Sequence, residues 1–189
     1  MLVRSYGYLN GLTYSADKFA RSPRSVMRDR KANCYDGALL AAAALRGLGH
    51  PPLLLDMRAV RDDDHVLALF RRRGFWGSVA KSNFVGLRYR EPIHRNLREL
   101  AISYFNDYFS SAGEKTLRSY SVPVDLSRLD RLSWMTCDDH LDEVAGYLDR
   151  ARHLPIAPAR QIEELAKVDE RTLKAGLVGS VKAGLYKVG

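Results

Sequence analysis

The residues of this chain best placed to do chemistry are a cysteine and a histidine, Cys34 and His65. Cys34 begins a run of strong helix formers, and in the first turn of a helix the unpaired backbone N–H groups and the helix dipole favour a thiolate. His65 opens the apolar run 66–70, which is typical of a strand. A thiol at a helix N-terminus that faces an imidazole on a strand is the basic equipment of a cysteine nucleophile. We therefore predict that the two side chains approach within hydrogen-bond reach or at the slightly longer distance common before substrate binds, with His65 as the base.

Both residues also have a structural interpretation. A lone cysteine at a helix start is more often a small buried hydrophobe than a nucleophile, and a histidine at a strand end can simply be core or solvated. The neighbouring elements favour the catalytic interpretation of Cys34 and His65. A helix packed on a sheet lets the next strands carry a base and its orienting group to the helix N-terminus.

The residue that would orient the imidazole depends on the hairpin that follows it. If the hairpin turns tightly at residues 73–74, His65 lies opposite Ser82; with one more loop residue it lies opposite Asn83. An asparagine accepts the ring N–H through its carbonyl oxygen and fixes the tautomer without carrying charge. We predict Asn83 as the third catalytic residue. Ser82 and the aspartates at 62–64 remain the alternatives.

The elements that must position these residues follow from local patterns. Ser22 and Pro23 predict a helix start, as N-cap and first helical residue, with the helix running to about residue 30. A second helix is predicted from about Cys34 to Leu48. It is apolar nearly all round, which predicts that it is buried in the middle of the domain.

Strand-like runs at residues 53–60, 65–70 and 75–80 follow, and their short links predict an antiparallel meander. A helix is predicted over residues 93–109 after Pro92. Residues 1–20 are predicted to be an irregular lead-in, and residues 119–126 a strand that Pro123 confines to a sheet edge. A helix is predicted over residues 138–152, capped by Thr136 or Asp138. A linker over residues 154–158, a short helix over residues 159–167 and a loose helical tail complete the prediction.

The composition is that of an ordinary globular protein. Apolar residues make up 46% and charged residues 28% of the chain, and no apolar run approaches the roughly 20 residues of a membrane helix. The first residues lack the apolar core of a secretory signal, so we expect a cytoplasmic protein without a membrane partner. Cys34 and Cys137 are the only cysteines. A disulfide between them is an alternative, but unpaired thiols are expected in a reducing compartment.

The net charge of +8 and a pI near 9.6 favour association with an acidic partner, without saying which. The chain has no recognition-helix pattern, zinc finger or RNP-like strand that would indicate a specific nucleic-acid site. The Asp-Asp-His triplets at residues 63–65 and 138–140 carry metal-binding atom types. Adjacent residues on a strand point to opposite faces, and acids at a helix start stabilise its dipole without a metal. We expect neither a metal nor a cofactor.

The stretch from Ser22 to Cys34, with the alanine-rich helix that ends Leu45-Arg46-Gly47-Leu48-Gly49-His50-Pro51, resembles the core of transglutaminase-like proteins. The likeness covers about residues 20–85. That superfamily shares the papain-like plan of a cysteine on a helix, followed by a histidine and an acid on successive strands. The resemblance implies that Cys34 is the nucleophile and His65 the base.

The chain departs from the family pattern at the acid. Members usually carry a Trp-x-Val-x-Asp-like pattern on the strand after the histidine. Here Trp76 is followed by Gly-Ser-Val and then Ala80, which occupies the place of the aspartate. Either Asn83 substitutes for it, as asparagine does in papain-like triads, or the site is impaired.

We therefore expect an α+β, papain-like transglutaminase-type domain over residues 1–125, its central helix packed on an antiparallel sheet, with a helical C-terminal extension over residues 126–189. The expected activity is acyl transfer or hydrolysis of a peptide or other amide through a thioester at Cys34, whose backbone N–H helps to hold the oxyanion. The alternative is a catalytically inactive binding module that holds an acidic partner on its basic surface.

Overall fold

The central helix begins at Cys34, as predicted, and a capping box fixes its start. In the computed structural model, which describes residues 7–186, the side chain of Asn33 accepts the N–H of Asp36 at 2.9 Å. The carboxylate of Asp36 in turn accepts the N–H of Asn33 at 3.3 Å. This reciprocal pair satisfies two donors that a helix start would otherwise leave open. The helix therefore begins at Cys34.

The elements of this α+β fold are short and closely spaced. The helices are α1 (Pro23–Asp29), α2 (Cys34–Gly47), α3 (Leu97–Phe105), α4 (Leu141–Asp149), α5 (Ala159–Glu163) and α6 (Glu170–Gly176); residues 7–10 are also helical, and 3-10 helices span Leu126–Leu132 and Lys182–Gly184. The strands are β1 (Thr13–Tyr14), β2 (Lys31–Ala32), β3 (Leu53–Ala59), β4 (His65–Arg72), β5 (Phe75–Val79), β6 (Arg90–His94), β7 (Leu117–Ser121), β8 (Val124–Asp125) and β9 (His153–Pro155).

The main sheet is antiparallel, with the order β6-β5-β4-β3-β7-β9 and with β8 also paired to β3. Strand β4 lies inside it and is buried on both faces. Val66, Ala68 and Phe70 pack into the core that contains α2, here called the α2 core. Leu67 and Leu69 pack into the opposite core, here the α3 core. Because side chains alternate along a strand, this parity also decides on which side His65 lies.

The hairpin between β4 and β5 turns in two residues. Arg72 pairs with Phe75, and the intervening Arg73 and Gly74 both have positive φ, 50° and 87°. Two successive positive φ values are the requirement of a type I′ turn, which suits a two-residue hairpin. The tighter of the two predicted registers is therefore the observed one.

The structure confirms the elements around the cysteine. Helix α1 starts at Pro23 with Ser22 as its N-cap, α2 runs from Cys34 to Gly47, and the next three strands form the predicted meander. The predicted lead-in is described from residue 7 onward, where it contributes β1. Residues 1–6, which include Tyr6, lie outside the described part of the chain.

Two predictions that depended on prolines were wrong. Pro92 does not start a helix: it lies in β6, which pairs with β5 alone, and an edge strand tolerates the missing N–H. Helix α3 starts later, where Asn96 accepts the N–H of Glu99. Pro123 does not confine its strand to an edge either, because it falls between β7 and β8, and β7 pairs on both sides.

The residues after 125 belong to the same packing unit as those before. The predicted linker at 154–158 is wrong, since β9 extends the sheet beside β7. The predicted helix over 138–152 is shorter, and Asp138 does not cap it: its carboxylate accepts the N–H of Ser22 at 2.7 Å and the hydroxyl of Ser25 at 2.8 Å. Leu126, Leu129, Leu132, Leu141, Val144 and Leu148 of this part all lie in the α2 core.

Helix length also bears on membranes. Among the described residues, no helix combines the length and the apolar character that crossing a bilayer requires.

Helix α2 packs closely against the chain after β5 at Gly37, and this packing can be tested through the stability of a variant. A Cβ added at Gly37 would lie 2.4 Å from the Cβ of Lys81 and 3.3 Å from Cδ1 of Leu9. We expect Gly37→Ala to lower the free energy of unfolding by about 1–3 kcal/mol, measured by urea denaturation, because this overlap forces backbone shifts. Gly47→Ala is the matched control, since nothing lies within 4 Å of its added Cβ. Equal stabilities of the two variants would contradict this packing.

Candidate active site

A small pocket lies where β4 begins beside the N-terminus of α2. Its volume is about 40 Å³, which suits a water molecule or a small group rather than a bulky side chain. Both predicted catalytic residues contribute to its walls. The lining residues are Tyr14, Cys34, Asp62, Asp63, Asp64, His65, Ser82, Asn83, Phe84, Leu87, Tyr108 and Gly184.

The thiol of Cys34 rests against the backbone of β4. Its Sγ donates to the carbonyl oxygen of Asp64 at 3.7 Å. The residue keeps some exposure, yet protein atoms surround the sulfur, and this burial raises the pKa of Cys34 to about 12. The N–H groups of Val66 and Tyr35, the latter in the first turn of α2, lower the pKa of the thiol but do not outweigh burial. The resting form is therefore the neutral thiol, and the expected thiolate is not favoured here.

The imidazole of His65 is held by a backbone carbonyl. Its Nε2 lies 2.7 Å from the oxygen of Leu87, and because a carbonyl only accepts, Nε2 carries the proton. The ring packs edge-on against Tyr104 and Tyr108, at centroid distances of 6.5 and 6.3 Å. Burial lowers the pKa of His65 to about 4, and the charge of Arg90 acts in the same direction. A neutral ring with its proton on Nε2 leaves the lone pair of Nδ1 free to act as a base.

Cys34 and His65 line the same pocket but are not joined by a hydrogen bond. Within residues 7–186 the thiol donates to a backbone carbonyl and Nε2 of the imidazole is paired with another, so no hydrogen bond links the two side chains. The cause is the parity of β4: the ring of His65 leans toward tyrosines of the α3 core, whereas α2 packs on the other face. The thiol reaches only the strand backbone at Asp64 and Val66. The two groups meet in the pocket beyond the strand end.

Asn83 lines the pocket but does not orient His65. Its Nδ2 donates to the carbonyl oxygens of Val181 at 2.9 Å and Gly184 at 3.0 Å, and its Oδ1 accepts the N–H of Val181 at 2.8 Å. Asn83 is not brought to His65 for two reasons: the observed two-residue hairpin has the register that would place Ser82 opposite His65, and the pairing of β5 with β4 ends already at Val79. The orienting group is the carbonyl of Leu87 instead.

Three of the other candidates for the third position, Ser82, Asp62 and Asp64, are engaged elsewhere, while Asp63 lines the pocket. Ser82 accepts the N–H of Phe84 at 3.0 Å. Asp64 accepts the N–H of Ala59 at 2.8 Å, and Asp62 accepts the hydroxyl of Thr116 at 2.7 Å. These contacts shape the loop before β4.

Tyr14 is a pocket residue that the sequence did not indicate. Strand β1 pairs in parallel with β2 so that Tyr14 lies opposite Ala32, two residues before Cys34. Burial raises the pKa of Tyr14, and the negative charge that Cys34 would carry as a thiolate raises it further. Its hydroxyl therefore remains a hydrogen-bond donor at the pocket. A lone tyrosine in an irregular segment carries no pattern that could have predicted this place.

No group of three or more histidine, cysteine, aspartate or glutamate side chains within residues 7–186 could hold a metal ion. Comparison of the chain with known protein families finds no family model that matches it, and comparison with curated proteins finds no match. The case for a function therefore depends on the pocket itself.

The buried imidazole predicts a pH dependence of stability. The pKa of His65 is about 4 in the folded protein against an ordinary value of 6.5. Between these values the unfolded chain binds a proton that the folded protein does not, so stability falls as the pH falls. At about pH 5 this loss amounts to about 2 kcal/mol relative to neutral pH. We expect His65→Asn to lack this component in urea denaturation at both pH values.

The difference in pH-dependent stability between the wild type and His65→Asn reports on His65 alone. Burial raises the pKa of Asp56, whose carboxylate lies 3.0 Å from Nε2 of His153, and a raised carboxyl pKa changes stability with pH in the opposite direction. Because Asp56 and His153 are present in both proteins, their contribution cancels in the difference. Identical losses of stability in both proteins would show that His65 is not buried as a neutral ring.

Proposed function

We propose that this protein is a transglutaminase-like cysteine enzyme with a papain-like core, which performs acyl transfer or hydrolysis on a peptide or other amide. The observation that carries the proposal is the pocket shared by Cys34, at the N-terminus of a buried helix, and His65, at the start of the second strand after it. The resemblance over residues 20–85 points to the same pair. Both cysteines are free in the structure, which supports a reducing compartment, the cytoplasm.

In the proposed reaction, Nδ1 of His65 takes the proton of the thiol while Sγ of Cys34 attacks the carbonyl carbon. The carbon–sulfur bond forms, the carbon–nitrogen bond breaks, and the imidazolium gives its proton to the leaving amine. Water, or a second amine, then attacks the thioester, and the sulfur takes a proton back as it leaves. The carbonyl of Leu87 keeps the ring in the required tautomer throughout.

Two donors are available for the oxyanion. The backbone N–H of Cys34 belongs to the first turn of α2, where helical acceptors are lacking. The hydroxyl of Tyr14 lines the same pocket and stays protonated. Donors fixed before the reaction stabilise a developing negative charge without reorganisation.

The neutral resting pair indicates what substrate binding must change. With a thiol pKa near 12 and an imidazole pKa near 4, proton transfer between Cys34 and His65 is strongly unfavourable in the closed pocket. Both shifts have burial as their main cause. Opening of the pocket would bring both pKa values toward their ordinary range, and the enzyme would then become competent.

The second candidate is a catalytically inactive module that holds an acidic partner. Three observations favour it: Cys34 and His65 each hydrogen-bond a backbone carbonyl rather than each other, the alanine at position 80 is buried, and the net charge is +8. On this alternative the pocket would be a remnant, and the basic surface would be the functional feature.

Turnover separates the two candidates. We expect release of amine from a panel of peptide and amide substrates, with Cys34→Ala abolishing it and His65→Gln lowering it by about a thousandfold or more. Tyr14→Phe should lower kcat by about 10-fold to 1000-fold, as for loss of one oxyanion donor. Cys137→Ala is the control, since its thiol lies against Asp139 outside the pocket. Turnover that survives Cys34→Ala would contradict the mechanism, and its absence with every substrate and amine acceptor would favour the inactive module.

A further inference from the structure

The C-terminal segment Val181–Leu185, here called the strap, covers the pocket of Cys34 and His65. Its residues Lys182–Gly184 form a 3-10 turn, in which Gly184 donates its N–H to the carbonyl of Val181 at 3.0 Å. Gly184 is one of the residues that line the pocket. The strap thus forms part of the wall of the pocket that contains Cys34.

The side chain of Asn83 contacts only main-chain atoms of the strap. Its amide donates to two strap carbonyls and accepts one strap N–H, which are the hydrogen bonds that any extended or turned peptide offers. The side chains of Lys182 and Ala183 are exposed and take no part. Asn83 itself is only 5% exposed, and a buried amide without partners is costly. When the strap leaves, Asn83 therefore favours another peptide in its place.

Tyr14 restricts the strap at one position. A Cβ added to Gly184 would lie 2.7 Å from Cε1 of Tyr14 and 3.4 Å from Nδ2 of Asn83. The tyrosine is fixed by the pairing of β1 with β2, next to the start of α2. The space over the pocket therefore admits glycine and not a larger residue.

Apart from its three hydrogen bonds to Asn83, the strap is anchored by no buried side chain of its own. Neither α5, α6 nor the 3-10 turn of the strap contributes a buried side chain. Elements without buried side chains open at a low free-energy cost while the core stays folded. The strap can thus leave the pocket without unfolding of the domain.

From these contacts we infer that the strap occupies the place of a peptide substrate. Asn83 is the residue that binds the main chain of that substrate, Tyr14 restricts the residue over the pocket to glycine, and the strap closes the site until a substrate peptide displaces it. The word substrate rests on the proposed function, whereas the closure of the pocket and the preference for glycine do not.

Alkylation of the full-length chain tests the closure. We expect iodoacetamide to label Cys34 slowly in the wild type and at least about tenfold faster in Gly184→Ala, where the added methyl group displaces the strap. Labelling of Cys137, followed by mass spectrometry in the same sample, should not change. Gly47→Ala is the matched control and should behave as the wild type. An unchanged rate at Cys34 in Gly184→Ala would overturn the inference.

A second variant covers the case in which Gly184→Ala disturbs the fold, which faster labelling of Cys137 would reveal. Asn83→Leu keeps the branched shape of the side chain, with a somewhat larger volume, but removes its three hydrogen bonds to the strap. It should expose Cys34 to a similar degree while thermal melting shows a folded core. A folded Asn83→Leu protein with a protected Cys34 would overturn the inference as well.

A peptide added in trans tests the preference for glycine. Val-Lys-Ala-Gly-Leu-Tyr, the sequence of residues 181–186, should slow the labelling of Cys34 in Gly184→Ala. The same peptide with its glycine replaced by alanine should not, and neither peptide should protect Cys34 when Asn83→Leu is also present. Equal protection by the two peptides would contradict the role of Tyr14.

These measurements require no turnover, so the two proposals fail separately. If the strap results hold and no amide is turned over, the enzyme proposal fails and the closed pocket remains. If Cys34-dependent turnover is found but the strap variants change nothing, the inference about the strap fails alone.

Discussion

The fold depends on one buried carboxylate. Asp36 is completely buried, and its oxygens accept the N–H groups of Arg21 at 2.8 Å and Asn33 at 3.3 Å. Burial raises the pKa of this carboxyl, and the two N–H groups together with the nearby guanidinium of Arg21 work against that shift. A charge in the interior is tolerable only with such partners. They fix the start of α2 against the segment before α1, and the position of Cys34 follows from that start.

The guanidinium of Arg21 extends this interaction to the surrounding chain. It is buried as well, and it contacts the carboxylates of Asp17 and Asp29 and the hydroxyl of Ser15. Ser15 follows β1 directly, so the same network holds the strand that carries Tyr14. Cys34 and Tyr14 are therefore positioned by one set of charged hydrogen bonds, which lies outside the pocket.

The sequence predicted the parts of the site that local signals determine. The serine cap and proline of the first helix, the alanine-rich helix and the strand after three aspartates are each recognised within about ten residues. These signals place Cys34 and His65 correctly at the ends of their elements. The face on which His65 lies was not predictable, because it depends on which core each residue of β4 enters. Asn83 failed for a related reason: β5 leaves the sheet after Val79, and no pattern signals where pairing stops.

The remaining contacts of the pocket join distant parts of the chain. The carbonyl of Leu87 contacts His65 from a loop, and Tyr14 is placed by a two-residue parallel pairing. Asn83 binds Val181 and Gly184, which follow it by 98 and 101 positions in the sequence. Such contacts follow from the packing of the whole domain rather than from propensity or periodicity. What the sequence reveals is accordingly the pair Cys34 and His65, whereas the groups that contact them from distant parts of the chain become visible only in the fold.

The prolines of the outer strands have a consequence for how peptides can bind. Strands β6 and β9 stand at the two ends of the sheet order, and each contains a proline, Pro92 and Pro155. A proline removes a backbone donor and so makes a poor template for an added strand. Recognition by extension of the sheet, a common way to hold an extended peptide, is thereby disfavoured at both edges. Any peptide that reaches Cys34 must instead be held by side chains, at a site away from the edges of the sheet.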